Sequence, residues 1–569
     1  MDKNFFLNPQ DLLQKKYEAL RASYLEDLTD KEVANQFGMP YYSFKSVKRD
    51  MKNAVPSDFF IGAIKRGKSV NRTASENMVI QLRKRNYSVE EIKEKLQKEQ
   101  SVTLSSGTIC DILEKEGFTK LFRRTFRERM EAMQHEQEYA EQSDISEFGR
   151  HTNAKTAFGG IFLFIPLMVE LGLDEIFRLP FYGSKTIPTI NYMLSYLCVK
   201  LLGCQRLYHA NNYNFDYALG CFPGLNVLPK SSTLASYSYH HSTELVRRML
   251  KGFTKKLYAS GWIKGNNINL DFHSITYFGE TEEIEKNWVA TRSKRLRSIL
   301  SFFAQDLDTT FLCYSNGDIK HSEQNDEILR FVEYYRKSTG IKPQRLVFDS
   351  KLTTYANLEQ LNKDGIFFIT LGKRGSGFKE KIENITSWKK LTLDNVKRKY
   401  RNLLCYEQTT SLKDYQGTVR EVYIKGNGRE LPMRLLTNDK PSDLKSIVTY
   451  YSHRWRIENN IGENVDFFNL NNLQSPVIVQ VNFDIAMTLI ANSLYKMLAK
   501  KIKWFENAQP KTVSRKFINI DAELEITQDE IVVTYKKNTY NPMIKDWVTK
   551  FPPINVSWWN NRKLNFKFA

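Results

Sequence analysis

The sequence predicts a multidomain α/β protein, and three observations lead there. Its 569 residues are enough for roughly three to five domains, each able to bury its own core. Hydrophobic residues make up 41% and aromatic residues 13%, so the chain is a folded one and neither a polycationic tail nor a small stapled module. The hydrophobic pattern is helical up to about residue 262 and then switches to short apolar runs separated by amphipathic helices, the signature of a mixed sheet. Lys and Arg total 84 against 64 Asp and Glu, a formal charge of +20, and a basic, well-packed protein calls for a polyanionic partner. The six cysteines (Cys110, Cys198, Cys204, Cys221, Cys313 and Cys405) contain no CxxC pair, which fits a reducing cytoplasm and neither a zinc ribbon nor a disulfide framework. MDKNFFLNPQ has no signal-peptide pattern, and the longest apolar stretch, Phe158 to Leu173, is short for a span and contains Glu170. Membrane insertion is not expected.

Residues 25–52 divide into two short helices around Gly38. Thr29 and Glu32 stand in capping-box spacing ahead of Val33, Ala34 and Phe37, and the glycine supplies a left-handed turn. This is the grammar of a helix-turn-helix. On its second helix Lys45, Lys48, Arg49 and Lys52 fall at i, i+3, i+4 and i+7 and share a face suited to phosphate contact; an ordinary hairpin with a solvated basic face is the alternative. We therefore assign a first DNA-binding unit to 1–62 and a basic linker with Lys65 and Arg66 to 63–73. Ser88 and Glu91 repeat the capping box, so a second helix-turn-helix or winged-helix unit spans 74–129. Its second helix carries Asp111, Glu114 and Glu116, which suits a structural or dimerising role equally well.

Residues 130–150 read as an acidic linker and 151–262 as a helical domain without recognisable chemistry. Residues 1–150 hold 26 basic and 24 acidic side chains, so nearly all the charge excess lies further along.

From residue 263 the order is three strands, a helix, a strand, a helix and a strand, which is that of a ribonuclease H-like mixed-sheet core. The first strand, Asn266 to Glu280, contains Asp271; the fourth, QRLVFDS, ends at Asp349. Aspartate at a strand end is commonly a turn or cap, but Asp271 interrupts the apolar run of a central strand, where a carboxylate needs a partner or a cation. In Thr449 to Leu473, read as a helix, Tyr451, Arg454 and Glu458 fall at i, i+3 and i+7 on one face. A surface salt bridge beside a packed tyrosine is the alternative reading of that trio.

Together these residues resemble the DDE transposases of bacterial insertion sequences, in the subgroup marked by Tyr, two residues, Arg, three residues, Glu, six residues, Lys. Tyr451, Arg454 and Glu458 match; the last position is Val465, so a phosphate contact of the family lysine is missing or supplied elsewhere. The resemblance covers about residues 263–475. It implies a catalytic core at 263–371 and 441–510, interrupted by a mostly β insertion at 372–440, with a β-rich tail at 511–569. The insertion holds 16 Lys and Arg against 8 Asp and Glu, including Lys397 and Arg398. Relatives hold a flipped base on an aromatic there; Trp388 is the candidate by analogy, with a core tryptophan as the alternative.

The resemblance implies that Asp271, Asp349 and Glu458 bind two Mg2+ ions, Mn2+ substituting, and that Arg454 and Tyr451 contact phosphate. The implied activity is cleavage of DNA at the element's terminal inverted repeats and joining of the freed 3′-hydroxyls to target DNA. Double-stranded DNA is the expected partner, a homodimer or higher assembly the expected form, and the bacterial cytoplasm, at the nucleoid, the expected place. A ribonuclease H-like nuclease without transposition and a catalytically inactive DNA-binding regulator are the competing readings.

Overall fold

The computed structural model describes residues 6, 9, 11–26, 28–52, 76, 78–80, 82–83, 89–100, 102–115, 148–149, 151–184, 186–278, 284–289, 292–352, 354–375, 377–394, 401–428, 430–472 and 477–569. Lys65, Arg66, Lys397, Arg398 and the acidic stretch 130–147 lie outside the described residues. The chain divides into two compact units, Met1–Met78 and Val79–Ala569.

In the first unit three helices, α1 (Leu12–Leu25), α2 (Asp30–Gln36) and α3 (Tyr41–Lys52), enclose Ala19, Leu20, Val33, Ala34, Phe37 and Phe44. Thr29 and Glu32 form the capping box ahead of α2, with the Thr29 N–H donating to Glu32 Oε2 at 2.8 Å. Gly38 turns the chain at φ 55°, a conformation glycine adopts at no steric cost.

The second unit opens with α4 (Val89–Gln100) and α5 (Ser106–Lys115), which bury Ile92, Leu96, Ile109, Ile112 and Leu113. Strand β1 (Asn153–Thr156) follows, then a helical stretch containing α6 (Thr189–Leu201) and α7 (Thr243–Ala259). The core strands are β2 (Asn267–Thr276), β3 (Lys286–Val289), β4 (Lys294–Asp306) and β5 (Leu312–Ile319), then β6 (Arg345–Phe348) and β7 (Phe367–Leu371), with α8 (Glu327–Thr339) and α9 (Tyr355–Lys363) before β6 and β7. Residues 372–440 contribute a short helix and β8 (Lys389–Thr392), β9 (Asn402–Thr410), β10 (Val419–Lys425) and β11 (Met433–Thr437). These four strands do not build a body of their own: they continue the core sheet in the order β3-β4-β2-β6-β7-β11-β10-β9-β8, with β5 also on β4. Strands β2, β6 and β7 run parallel, and the pairs to either side of them are antiparallel.

Three helices complete the core: α10 (Leu444–Ser452), α11 (Trp455–Asp466) and α12 (Ile478–Lys501). Helix α12 is apolar on nearly every side and accordingly buried on nearly every side, packed against β5, α6 and α7. The final strands β12 (Ala522–Ile526), β13 (Glu530–Tyr535), β14 (Ile554–Val556) and β15 (Arg562–Phe568) form a second sheet in the order β1-β12-β13-β15-β14. Residues 151–262 and 511–569 therefore share one sheet, and the indoles of Trp558 and Trp559 donate to the Phe222 and Cys221 carbonyls. Gly160 lies so close to this tail that a Cβ would sit 1.7 Å from the Phe517 carbonyl oxygen.

A buried ion pair holds β6 to the loop ahead of α10: Arg345 Nη2 donates to Asp439 Oδ2 at 2.6 Å, with both side chains at most 5% exposed. Ser442 also donates to Asp439, Arg345 reaches Asn267, and its guanidinium lies 4.1 Å from the Tyr450 ring centre. Removing one partner of such a pair leaves a buried charge uncompensated. Asp439→Ala is expected to cost about 3–5 kcal/mol, read from urea denaturation.

Candidate active site

Strand β2 carries Asn269, Asp271 and His273 on one face, because alternate residues of a strand point the same way. Its register with β6 pairs Ile268 with Leu346 and Asn269 with Val347; two residues further on, the same register brings Asp349 level with Asp271. Asp349 stands just past the end of β6 and accepts from Ser350 Oγ at 2.8 Å.

The helix expected through Tyr451, Arg454 and Glu458 is broken. Helix α10 ends at Ser452 and α11 begins at Trp455, and around the junction the backbone tightens to i−3 bonds, from the N–H groups of Arg454, Arg456 and Ile457 to the carbonyls of Tyr451, His453 and Arg454. Two buried amides donate to carbonyls at this junction as well. Asn269 Nδ2 donates to the His453 carbonyl at 3.3 Å and Gln305 Nε2 to that of Arg456 at 3.2 Å. Asn269 and Gln305 are directly paired on β2 and β4 and wholly buried. Gln305 also reaches the Thr310 carbonyl, which accepts in addition from Asn460 of α11 and from the buried Lys496 of α12. Thus β2, β4, α11 and α12 are tied at one point behind the acids.

The break still brings the trio together. Arg454 Nη1 contacts Asp271 Oδ2 at 3.3 Å, its Nη2 pairs with Glu458, and its guanidinium lies 5.9 Å from the Tyr451 ring centre. The Asp271 and Arg454 side chains are 15% and 14% exposed, that of Glu458 49%. Burial pushes the Asp271 carboxyl up to about 6; Arg454 opposes this, while Glu458 and Asp349 add to it. Burial works against the Arg454 charge, and Asp271, Tyr451, Glu458 and Asp349 outweigh it and hold the guanidinium above its ordinary value. His273 hydrogen-bonds Asn471 at 2.7 Å, which ties β2 to the chain just beyond α11, and burial holds its imidazole below the usual range.

Among the described residues no group of three or more His, Cys, Asp or Glu is gathered closely enough to hold a metal ion; the Arg454 guanidinium sits between Asp271 and Glu458 instead. The donor set nonetheless fits a divalent cation. Carboxylate oxygens are what magnesium takes, and Asp271, Asp349 and Glu458 supply them.

The remaining sequence candidates are placed as follows. Lys48 turns inward, its Nζ 2.5 Å from Asp30 and 2.7 Å from Ser23. Lys45 lies 5.7 Å from the Tyr41 ring, Arg49 pairs with Asp50 on the surface, and Lys52 is exposed. Trp388 is half-buried against Tyr406 with its indole N–H on the Ile385 carbonyl and Lys425 over its ring at 4.2 Å. Val465, two helical turns beyond Glu458, packs against the main apolar core. Asn269, Gln305 and His273 escaped sequence reasoning, although a polar residue two positions either side of Asp271 on one strand face was the available signal.

Residues 307–492 match the family described as Transposase DDE domain. The matched stretch contains Asp349, Tyr451, Arg454 and Glu458 and begins after Asp271, and it supports a DDE transposase. No curated protein matches the chain. Among the described residues no helix is long and apolar enough to cross a membrane.

Proposed function

We propose that the chain is a DNA transposase that binds the terminal inverted repeats of its element, cleaves DNA at the ends and joins the freed 3′-hydroxyls to target DNA by metal-dependent phosphoryl transfer. One observation carries this reading: Arg454 draws Asp271 of β2 and Glu458 of α11 together beside the strand that leads to Asp349. The strand order β5-β4-β2-β6-β7 supports a ribonuclease H-like core, and the strands of 372–440 are read as its insertion.

Asp271, Asp349 and Glu458 would hold two magnesium ions, manganese substituting. Bound ions of this kind make a nucleophile available at neutral pH and neutralise charge on the scissile phosphate. Arg454 exchanges carboxylate for phosphate when DNA arrives, since a guanidinium serves both partners equally well. Tyr451 donates its hydroxyl to a phosphate oxygen, and the Asn269–Gln305 pair keeps the start of α11, and hence Glu458, at a fixed distance from β2. Helices α2 and α3 serve as a helix-turn-helix in which Lys45, Arg49 and Lys52 face phosphates, while Lys48 is committed to Asp30. Trp388, already covered by Lys425, remains a base-stacking candidate only if that lysine moves to phosphate. The protein works in the bacterial cytoplasm as a dimer or higher assembly on paired DNA ends.

The test is a magnesium-dependent cleavage assay on duplexes carrying the terminal inverted repeats. Cleavage at the repeat ends that stops on chelation with EDTA is expected. Equal cutting of unrelated duplexes would favour a nuclease without transposition, and end binding without any nick would favour an inactive regulator.

A further inference from the structure

The hairpin formed by β3 and the start of β4 carries a surface that the catalytic residues do not use. Residues 286–297 hold five Lys and Arg and no Asp or Glu. The register pairs Lys286 with Arg297 and Trp288 with Arg295, so all four side chains stand on one face of the two strands. The other face is the buried one: Asn287 and Val289 are at most 5% exposed, and Asn287 donates to the Ser298 carbonyl. Trp288, by contrast, is 52% exposed. Arg292 and Lys294 are exposed near the tip.

One feature of this face works against stability: a half-exposed tryptophan leaves apolar area in water that folding does not recover. The basic, aromatic face becomes favourable against a polyanion with apolar patches. Cations gain by releasing counterions from phosphates, and an aromatic ring gains by covering a deoxyribose or an unstacked base.

Strand β4 also sets the distance. It runs without interruption from this hairpin to Phe303, the partner of Asp271. Arg297 and Arg295 lie six and eight residues back along it, about 20 to 26 Å at 3.3 Å per residue. We propose that the Lys286, Trp288, Arg295 and Arg297 face is a DNA-holding surface that grips the duplex about six to eight base pairs from the bond being cut, at 3.4 Å per base pair. This rests on the transposase reading above.

The experiment uses the full chain and a duplex oligonucleotide carrying the terminal inverted repeat, with three proteins: unaltered, Arg295→Gln/Arg297→Gln, and Trp288→Ala. The double variant is expected to bind more weakly, with a plot of log affinity against log salt shallower by about two. Protection from hydroxyl radicals should fall about six to eight base pairs from the cleavage position while protection elsewhere is kept. Its thermal midpoint should stay close to that of the unaltered chain, so that weaker binding does not come from unfolding. Trp288→Ala should lower affinity with the salt slope unchanged. Affinity, slope and footprint equal to those of the unaltered chain would overturn the proposal, as would loss of self-association in sedimentation, which would make the face a protein interface. If the unaltered chain fails to bind or cut the repeat duplex, the transposase reading itself falls; if it does both and the variants match it, only the hairpin assignment does.

Discussion

Asp271→Asn should melt at a higher temperature than the native chain at pH 7.5 in EDTA, and should have lost DNA cleavage. The carboxyl is raised to about 6 in the fold by burial, against an ordinary 3.8, so it ionises less readily folded than unfolded. Between about pH 4 and pH 6 the native state then binds more protons than the unfolded one, and stability falls as pH rises through that window. Above it the penalty is complete, about 2 to 3 kcal/mol for a shift of this size. An amide removes the ionisation and keeps the shape, so the variant's stability should be flatter across the same window. Cleavage should fall by about 1,000-fold or more, since a lost metal ligand removes several kcal/mol of transition-state stabilisation. Thermal unfolding from pH 4 to 8 and a cleavage assay check both parts. A variant that is no more stable at pH 7.5, or that still cleaves, would contradict this account of Asp271.

Arg454→Gln should have the opposite effect on stability. Its guanidinium serves Asp271 and Glu458 at once with only 14% of its side chain exposed, so removing it leaves a nearly buried carboxylate without its counter-charge. Breaking a buried pair on one side costs about 3–5 kcal/mol; protonation of Asp271 in response trims the loss to the lower end of that range. The double variant Asp271→Asn/Arg454→Gln should recover most of it, because the charge that needed the arginine is gone. Urea denaturation of the four proteins at pH 7.5 in EDTA closes the cycle, and an additive double variant would mean that the two residues do not act as a pair.

What could be read in the sequence, and what could not, follows from the range of the interactions. Asp271 was legible because a carboxylate inside an apolar strand is a local anomaly, and the helices on either side of Gly38 because capping boxes and glycine turns are local too. The break between α10 and α11 was not: residues 444–466 have helical spacing throughout, and the junction's carbonyls are held by Asn269 and Gln305, some 150 to 185 positions away in the chain. The sheet that joins residues 153–156 to 522–526 was invisible for the same reason, and so was the merging of the 372–440 strands with the core sheet. Lys48 read as one of four equivalent basic residues, yet Asp30 and Ser23 claim it, a difference decided by how α3 packs on α1 and α2.

We propose that Asp271, Asp349 and Glu458 act with divalent metal to join DNA ends to a target. The most direct test of this proposal gives the full chain a pre-cleaved duplex bearing the terminal repeat with a free 3′-hydroxyl, a target plasmid and magnesium, and follows the joined product on a gel. The unaltered protein should join the end to the plasmid only with metal and only when the 3′-hydroxyl is present, while Asp271→Asn and Glu458→Gln bind the end and join nothing. Joining by either variant at the native yield, or joining by the native protein in EDTA, would contradict it.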